Sequence, residues 1–246
     1  MSDLSAARRR SSVPVVLLVH GVFSDTSSWS AVIAALSDAG IEAAAPALPL
    51  RGLASDASYL ADVAGRHAGP VVLVGTCYSG AVITVAGARS DNAVGLVYLA
   101  GFALAEGESC VDVARAHPST PLAHALRPAT FHAAGGEPAI ELSIDPAAFH
   151  EVYAADLPPR RAASMAAAQR PVAAAALEER AAVAAWRTLP SWYLVATADR
   201  AVHPDAQRAM ARRARAATTE VDASHSVAVS RPAAVAALIE RAARAR

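Results

Sequence analysis

Short apolar runs alternate with helix-patterned segments along most of this chain, and that rhythm leaves few folds open. Residues 13–19, 41–45, 71–74, 94–99, 192–196 and 218–221 read as strands. Runs that are apolar throughout are what strands covered on both faces require. Between them, residues 28–39, 56–67, 78–89, 204–215 and 232–245 carry helical patterning, with Gly40 as a stop and Ser55 as an N-cap. The alternation predicts an α/β chain, a mostly parallel sheet of about six strands flanked by helices.

The rhythm breaks between residues 102 and 189. Prolines (Pro118, Pro121, Pro128, Pro138, Pro146, Pro158 and Pro159) and then alanine-rich helical stretches mark that span. It is too long for a structureless connection in a compact domain, so it reads as a helical cap inserted into the core. The expected organisation is a disordered tail over 1–12, a core over 13–101 and 190–246, and a cap over 102–189. A chain of 246 residues suits one domain with a sizeable core.

Formal net charge is +0, which removes the electrostatic case for nucleic acid or an anionic membrane. Arg8-Arg9-Arg10 before the first apolar run imitates a signal peptide, but the run is short and lacks a small-residue cleavage pattern. A buried strand explains it better. No stretch is apolar for long enough to span a bilayer. Cys77 and Cys110 could form one disulfide, but the chain is not of the cysteine-dense secreted type. Free thiols in a reducing, cytoplasmic compartment are expected.

The most informative segment is Val71-Val72-Leu73-Val74-Gly75-Thr76-Cys77-Tyr78-Ser79-Gly80. It reads as strand, sharp turn, helix. A turn of the form G-x-nucleophile-x-G presents its central side chain on a strained bend, with small neighbours where backbones approach. Cys77 holds the central position, and Ser79 replaces the second glycine. A thiol at a helix N-terminus beside an imidazole is activated toward carbonyl carbon. The competing readings are a small core cysteine for Cys77 and a rival nucleophile in Ser79.

Such a nucleophile needs a base, and the base needs an orienting group. Asp199 follows the strand at 192–196, where open α/β sheets place their sites, and His225 follows the last strand. Asp199 could instead cap the following helix, a task for which Asp205 competes. His67, His117, His124, His132, His150 and His203 fall outside the required loop. The oxyanion donors expected are the backbone N–H groups of Val22, after His20-Gly21, and of Tyr78. No spacing suggests a metal, and no cofactor is implied.

These motifs together resemble the α/β-hydrolase superfamily. They are Leu18-Val19-His20-Gly21, Ser28-Trp29, the elbow, Ala168-Gln169-Arg170-Pro171, Thr197-Ala198-Asp199 and Asp222-Ala223-Ser224-His225. Within it, the chain is similar to the branch of plant methylesterases and hydroxynitrile lyases and their bacterial relatives, with Cys77 where serine is usual. The resemblance implies a capped hydrolase fold and a Cys77–His225–Asp199 triad. Ser226 stands where the lyases carry lysine, and Gly21 where they carry threonine, so cyanohydrin cleavage is not implied. The activity expected is acyl transfer through an S-acyl-enzyme on an ester, thioester or lactone. An acyltransferase or cyclase and a silent ligand-binding protein are the alternatives. Phe23, Phe102, Phe131, Phe149, Tyr153 and Met165 are candidate substrate contacts or core, and Arg51 and Arg200 are candidate carboxylate clamps or surface groups. A small-molecule acyl substrate is the expected partner, and homodimerisation stays open.

Overall fold

The computed structural model describes residues 13–133 and 135–245; the tail expected over 1–12 lies outside them. In chain order the first elements are β1 (Val15–Val19), α1 (Ser30–Asp38), β2 (Ala43–Ala44), α2 (Leu53–Gly65), β3 (Val71–Thr76), α3 (Ser79–Ala86) and β4 (Ala93–Leu99). The middle of the chain forms α4 (Cys110–Arg115), α5 (Leu122–Ala125), β5 (Leu126–His132), β6 (Pro138–Ile144), α6 (Pro146–Tyr153), α7 (Pro159–Ala168), β7 (Val172–Ala173) and α8 (Ala174–Glu178). The last third holds β8 (Ser191–Ala196), α9 (Pro204–Arg213), β9 (Ala217–Val221), α10 (Val227–Ser230) and α11 (Pro232–Arg244).

Six strands form one sheet in the order β2-β1-β3-β4-β8-β9, parallel throughout. The pleat splits each central strand between two apolar layers. Leu17, Val19, Leu73 and Tyr98 face α2, α3 and the segment between β4 and β8. Val16, Leu18, Val72, Val74 and Val97 face α1 and α11, where Trp29, Leu36, Leu238 and Ile239 meet them. Both faces are covered, which is why these strands lack a polar face. Because all six run the same way, the loops after β1, β3, β4, β8 and β9 emerge at one edge.

Three details differ from the sequence reading. The edge strand expected at 41–45 shrinks to Ala43–Ala44, which pairs with β1 alone. Ser55 does not cap α2: its hydroxyl donates to the Gly52 carbonyl. The first N–H groups of α2 are taken by the Glu179 carboxylate, at 2.6 Å from Leu53 N and 3.2 Å from Ala54 N. The segment between β4 and β8 is also not purely helical. β5 and β6 pair antiparallel in seven-residue register and β7 adds an edge. Pro128 and Pro138 look like strand breakers, but proline is tolerated at strand starts and at positions that donate no ladder bond. No helix among the described residues is long and apolar enough to cross a membrane.

Candidate active site

The turn after β3 raises Cys77 on a left-handed backbone, with φ of 54°. Bulky residues avoid that region, and holding one there costs roughly 1–3 kcal/mol. The surroundings enforce it. A Cβ on Gly75 would lie 2.5 Å from the Ser79 carbonyl oxygen, and one on Gly21 would lie 2.7 Å from Cys77 Cβ. Both positions therefore require glycine. Ser79 is fully buried. Its hydroxyl accepts from Thr76 N at 2.9 Å and lies 2.7 Å from the Val19 carbonyl, to which it donates. Ser79 thus fastens the turn to β1 and is not an exposed nucleophile. The Cys77 carbonyl accepts from Gly80 N and Phe102 N, closing the turn from the other side.

His225 and Asp199 come from the loops after β9 and β8. His225 Nδ1 donates to Asp199 Oδ2 at 2.7 Å, and both side chains are fully buried. Asp199 Oδ2 also accepts from Gln207 Nε2 at 2.8 Å. Its Oδ1 accepts from Ala201 N at 2.7 Å and Val202 N at 3.0 Å. Helix α9 is capped by His203, whose Nδ1 accepts from Asp205 N. Asp199 is thereby free to orient the imidazole, and Asp205 is not the cap. His225 Nε2 is buried and makes no hydrogen bond among the described residues. Burial opposes a charged ring here, but the Asp199 carboxylate and the Cys77 sulfur outweigh it and push His225 up to about 10.

Tyr153, at the end of α6, braces this arrangement. Its ring meets His225 edge-on at 4.8 Å, and its hydroxyl donates to the Val22 carbonyl at 2.7 Å. Its own carbonyl accepts from Ser226 N and Ser226 Oγ. Ser224 Oγ donates to Asp156, which also faces Arg231 at 3.5 Å. The histidine loop is therefore tied at several points to the segment between β4 and β8.

The two backbone N–H groups expected to hold an oxyanion are those of Val22 and Tyr78. Among the described residues, neither Val22 N nor Tyr78 N donates to a protein acceptor. The next N–H, that of Phe23, is taken by the Arg170 carbonyl at 3.1 Å. This is what Gln169-Arg170 does in the fold: the Gln169 amide is anchored on Ile144 at both ends, and the neighbouring carbonyl leaves Val22 as the free donor. His20 is structural. Its Nε2 accepts from Leu48 N, its Nδ1 donates to the Gly21 carbonyl, and burial holds it neutral. Tyr78 points its hydroxyl the other way, to Asp56 Oδ2 at 2.9 Å. Asp56 is fully buried, and burial raises its carboxyl above the usual range.

The candidate substrate contacts separate into groups. Phe23 and Phe102 line a cavity of about 170 Å³ that has Cys77 in its wall. Met165 and Tyr153 line a cleft on the His225 side. Phe149 is fully buried against Tyr153. Phe131 is not brought to the site: it lies under the Arg51 guanidinium at 4.3 Å. Arg51 pairs with Glu141 at 2.7 Å and Arg200 with Glu151 at 3.0 Å, so both are engaged at the surface. Cys110 is buried, as a free thiol, and shares the cavity wall with Cys77. Gln207 and Asp56 escaped the sequence reading. A glutamine on the apolar face of α9, beside Ala206, Met210 and Ala211, was the available signal for the first.

The sheet order, the turn after β3 and the acid–histidine pair at one edge define an α/β-hydrolase arrangement. The chain belongs to the Alpha/beta hydrolase family, whose model matches residues 16–238. Among solved structures it is similar to a pyrethroid hydrolase from Sphingobium faniae, at 22% identity and a TM-score of 0.77 over 95% of this chain and 98% of that one. It is likewise similar to polyneuridine aldehyde esterase, at 14% identity and a TM-score of 0.79 over 93% and 98%. A methylesterase from Arabidopsis matches at 17% identity and a TM-score of 0.77 over 94% and 98%. No curated protein sequence matches the chain.

Proposed function

We propose that this hydrolase-family protein transfers acyl groups through a thioester on Cys77. The observation that carries the reading is the positioned imidazole. Nδ1 is held by Asp199, Nε2 is left without a hydrogen bond, and the Cys77 sulfur raises the ring's affinity for a proton. In the reaction, Cys77 attacks the carbonyl carbon of an ester, thioester or lactone as the sulfur of a thiolate–imidazolium pair, its proton already held on Nε2. The oxyanion forms between Val22 N–H and Tyr78 N–H. Collapse breaks the bond to the leaving alcohol or thiol, which takes the proton from Nε2 and leaves an S-acyl group on Cys77. Water activated by the same imidazole then releases the acid. The ester-cleaving names of the structural neighbours agree with this chemistry. An acceptor other than water is favoured to the extent that the apolar wall around Cys77 keeps water out.

Alkylation tests the reading. Iodoacetamide labelling followed by peptide mapping is expected to modify Cys77 at neutral pH much faster than Cys110, whose thiol burial pushes well above its ordinary value. The selectivity is expected to vanish in His225→Ala. Equal, slow labelling of both cysteines, together with no acyl adduct from any thioester, would leave a ligand-binding protein in place of an enzyme.

A further inference from the structure

Two spaces border the candidate triad, one at Cys77 and one at His225, and their walls differ in chemistry. The cavity bordered by Cys77 is walled by Val22, Phe23, Phe102, Leu126 and Leu177, and no charged side chain lines it. Its polar groups are two thiols and the Thr120 hydroxyl. Phe102, Val111, Ala114, Ala123 and Val202 also border an adjoining space of about 360 Å³, whose lining further includes Arg115, His117 and His203. The cleft bordered by His225 is a narrow passage of about 10 Å³ that carries hydroxyls from Ser24, Ser28, Thr76 and Ser226 beside Tyr153, Met165, Ala228 and Val229. It shares Ser24, Ser28 and Met165 with an outer cleft of about 180 Å³ that adds Arg161 and Ser164. Phe23 stands between the two sides, lining both the apolar cavity and the outer cleft, whose wall mixes serines, Asp25 and Arg161 with Met165, Ala168 and Val229.

The chemistry assigns a direction to this asymmetry. The acyl carbon must bond to sulfur, so the acyl group extends on the Cys77 side. The leaving group must collect a proton from Nε2, so it departs on the His225 side. Resting on the acyl-transfer reading, we infer that the substrate joins an extended apolar acyl group to a hydrophilic alcohol or thiol. An apolar cavity of about 150 Å³ holds a benzene ring, so the inner space of about 170 Å³ takes roughly six carbons. The outer space accommodates the remainder of a longer chain. A charged or hydroxylated acyl group would give up its hydration with no partner in that wall.

The test is single-turnover acylation of Cys77 by N-acetylcysteamine thioesters of acetate, butyrate, hexanoate, decanoate and succinate, read by intact mass. The rate at limiting thioester is expected to rise by about fourfold per methylene until the inner cavity fills. Succinyl is expected to fall well below butyryl. Replacing N-acetylcysteamine by benzyl thiol as the leaving group is expected to slow hexanoyl transfer. Ala123→Trp, at an exposed position, is expected to move the optimum to shorter chains in a protein with an unchanged melting curve. A flat chain-length profile, or succinyl matching butyryl, would overturn the inference while leaving Cys77 acylation standing. No adduct on Cys77 from any thioester, with no selective alkylation, would overturn the acyl-transfer reading itself and this inference with it.

Discussion

Four donors converge on the Asp199 carboxylate, and they decide where the imidazole of His225 points. Two are backbone N–H groups of its own loop, one is the Gln207 amide and one is the ring itself. Asp199→Asn keeps the shape but offers an N–H to Nδ1, which favours the wrong tautomer. Acylation of Cys77 is expected to fall by about 10⁴-fold, measured by quenched-flow mass spectrometry. Gln207→Leu acts differently. It strands the Ala196 N–H and the Val202 carbonyl as well as Asp199. The expected loss is about 1–3 kcal/mol in urea unfolding, with a smaller fall in acylation rate. Full stability in that variant would show that Gln207 is idle. These residues come from separate loops and a helix, so no local pattern joins Gln207 to Asp199; the buried glutamine of α9 was the one visible hint.

At the scale of the element, the segment from β3 to α3 holds strain and the means of holding it. Cys77 sits at φ of 54° while Ser79 ties the turn to Val19 and Thr76. Glycine adopts that conformation without penalty. Cys77→Gly is therefore expected to be more stable than Cys77→Ala by about 1 kcal/mol, with neither forming an acyl adduct. Thermal melts of the pair measure it, and the reverse order would mean the turn is unstrained. Ser79→Ala is expected to cost about 1–3 kcal/mol by leaving the Thr76 N–H without its acceptor, yet to keep Cys77 acylation. Loss of the adduct with an intact fold would instead implicate the serine in chemistry. The turn was legible because its apolar strand and small neighbours are contiguous in sequence. The β5–β6 hairpin was not, because Pro128 and Pro138 disguise strands whose pairing becomes visible only when both are in place.

At the scale of the whole molecule, the site couples the histidine loop, the sheet edge and the segment between β4 and β8 into one titrating unit. His225 has an ordinary value of 6.5 and is raised to about 10 in the folded protein. The folded state thus binds a proton that the unfolded state releases above 6.5. This contribution to stability is full below about pH 6.5 and is lost as pH rises through about 10. Urea midpoints measured across that window are expected to fall more steeply for the natural chain than for His225→Gln. Parallel slopes would show that the ring holds no extra proton. Tyr153→Phe removes the hydroxyl bond to the Val22 carbonyl but keeps the ring against His225. It is expected to cost about 1 kcal/mol and to slow acylation, because the Val22 N–H then sits on a looser loop.

Strand alternation, the bend at Cys77 and the order of nucleophile, acid and histidine are all properties of neighbouring residues. Apolar period and turn chemistry therefore specify the parallel sheet and nominate Cys77, Asp199 and His225. What lines the space beside the sulfur was settled only by packing. Phe131 went under Arg51, Phe149 into the interior, and Glu179 to the start of α2. The reason is range: a side chain's phase along its own element follows from local pattern, whereas its partners arrive from distant segments, as Glu179 does for Leu53 from 126 residues away.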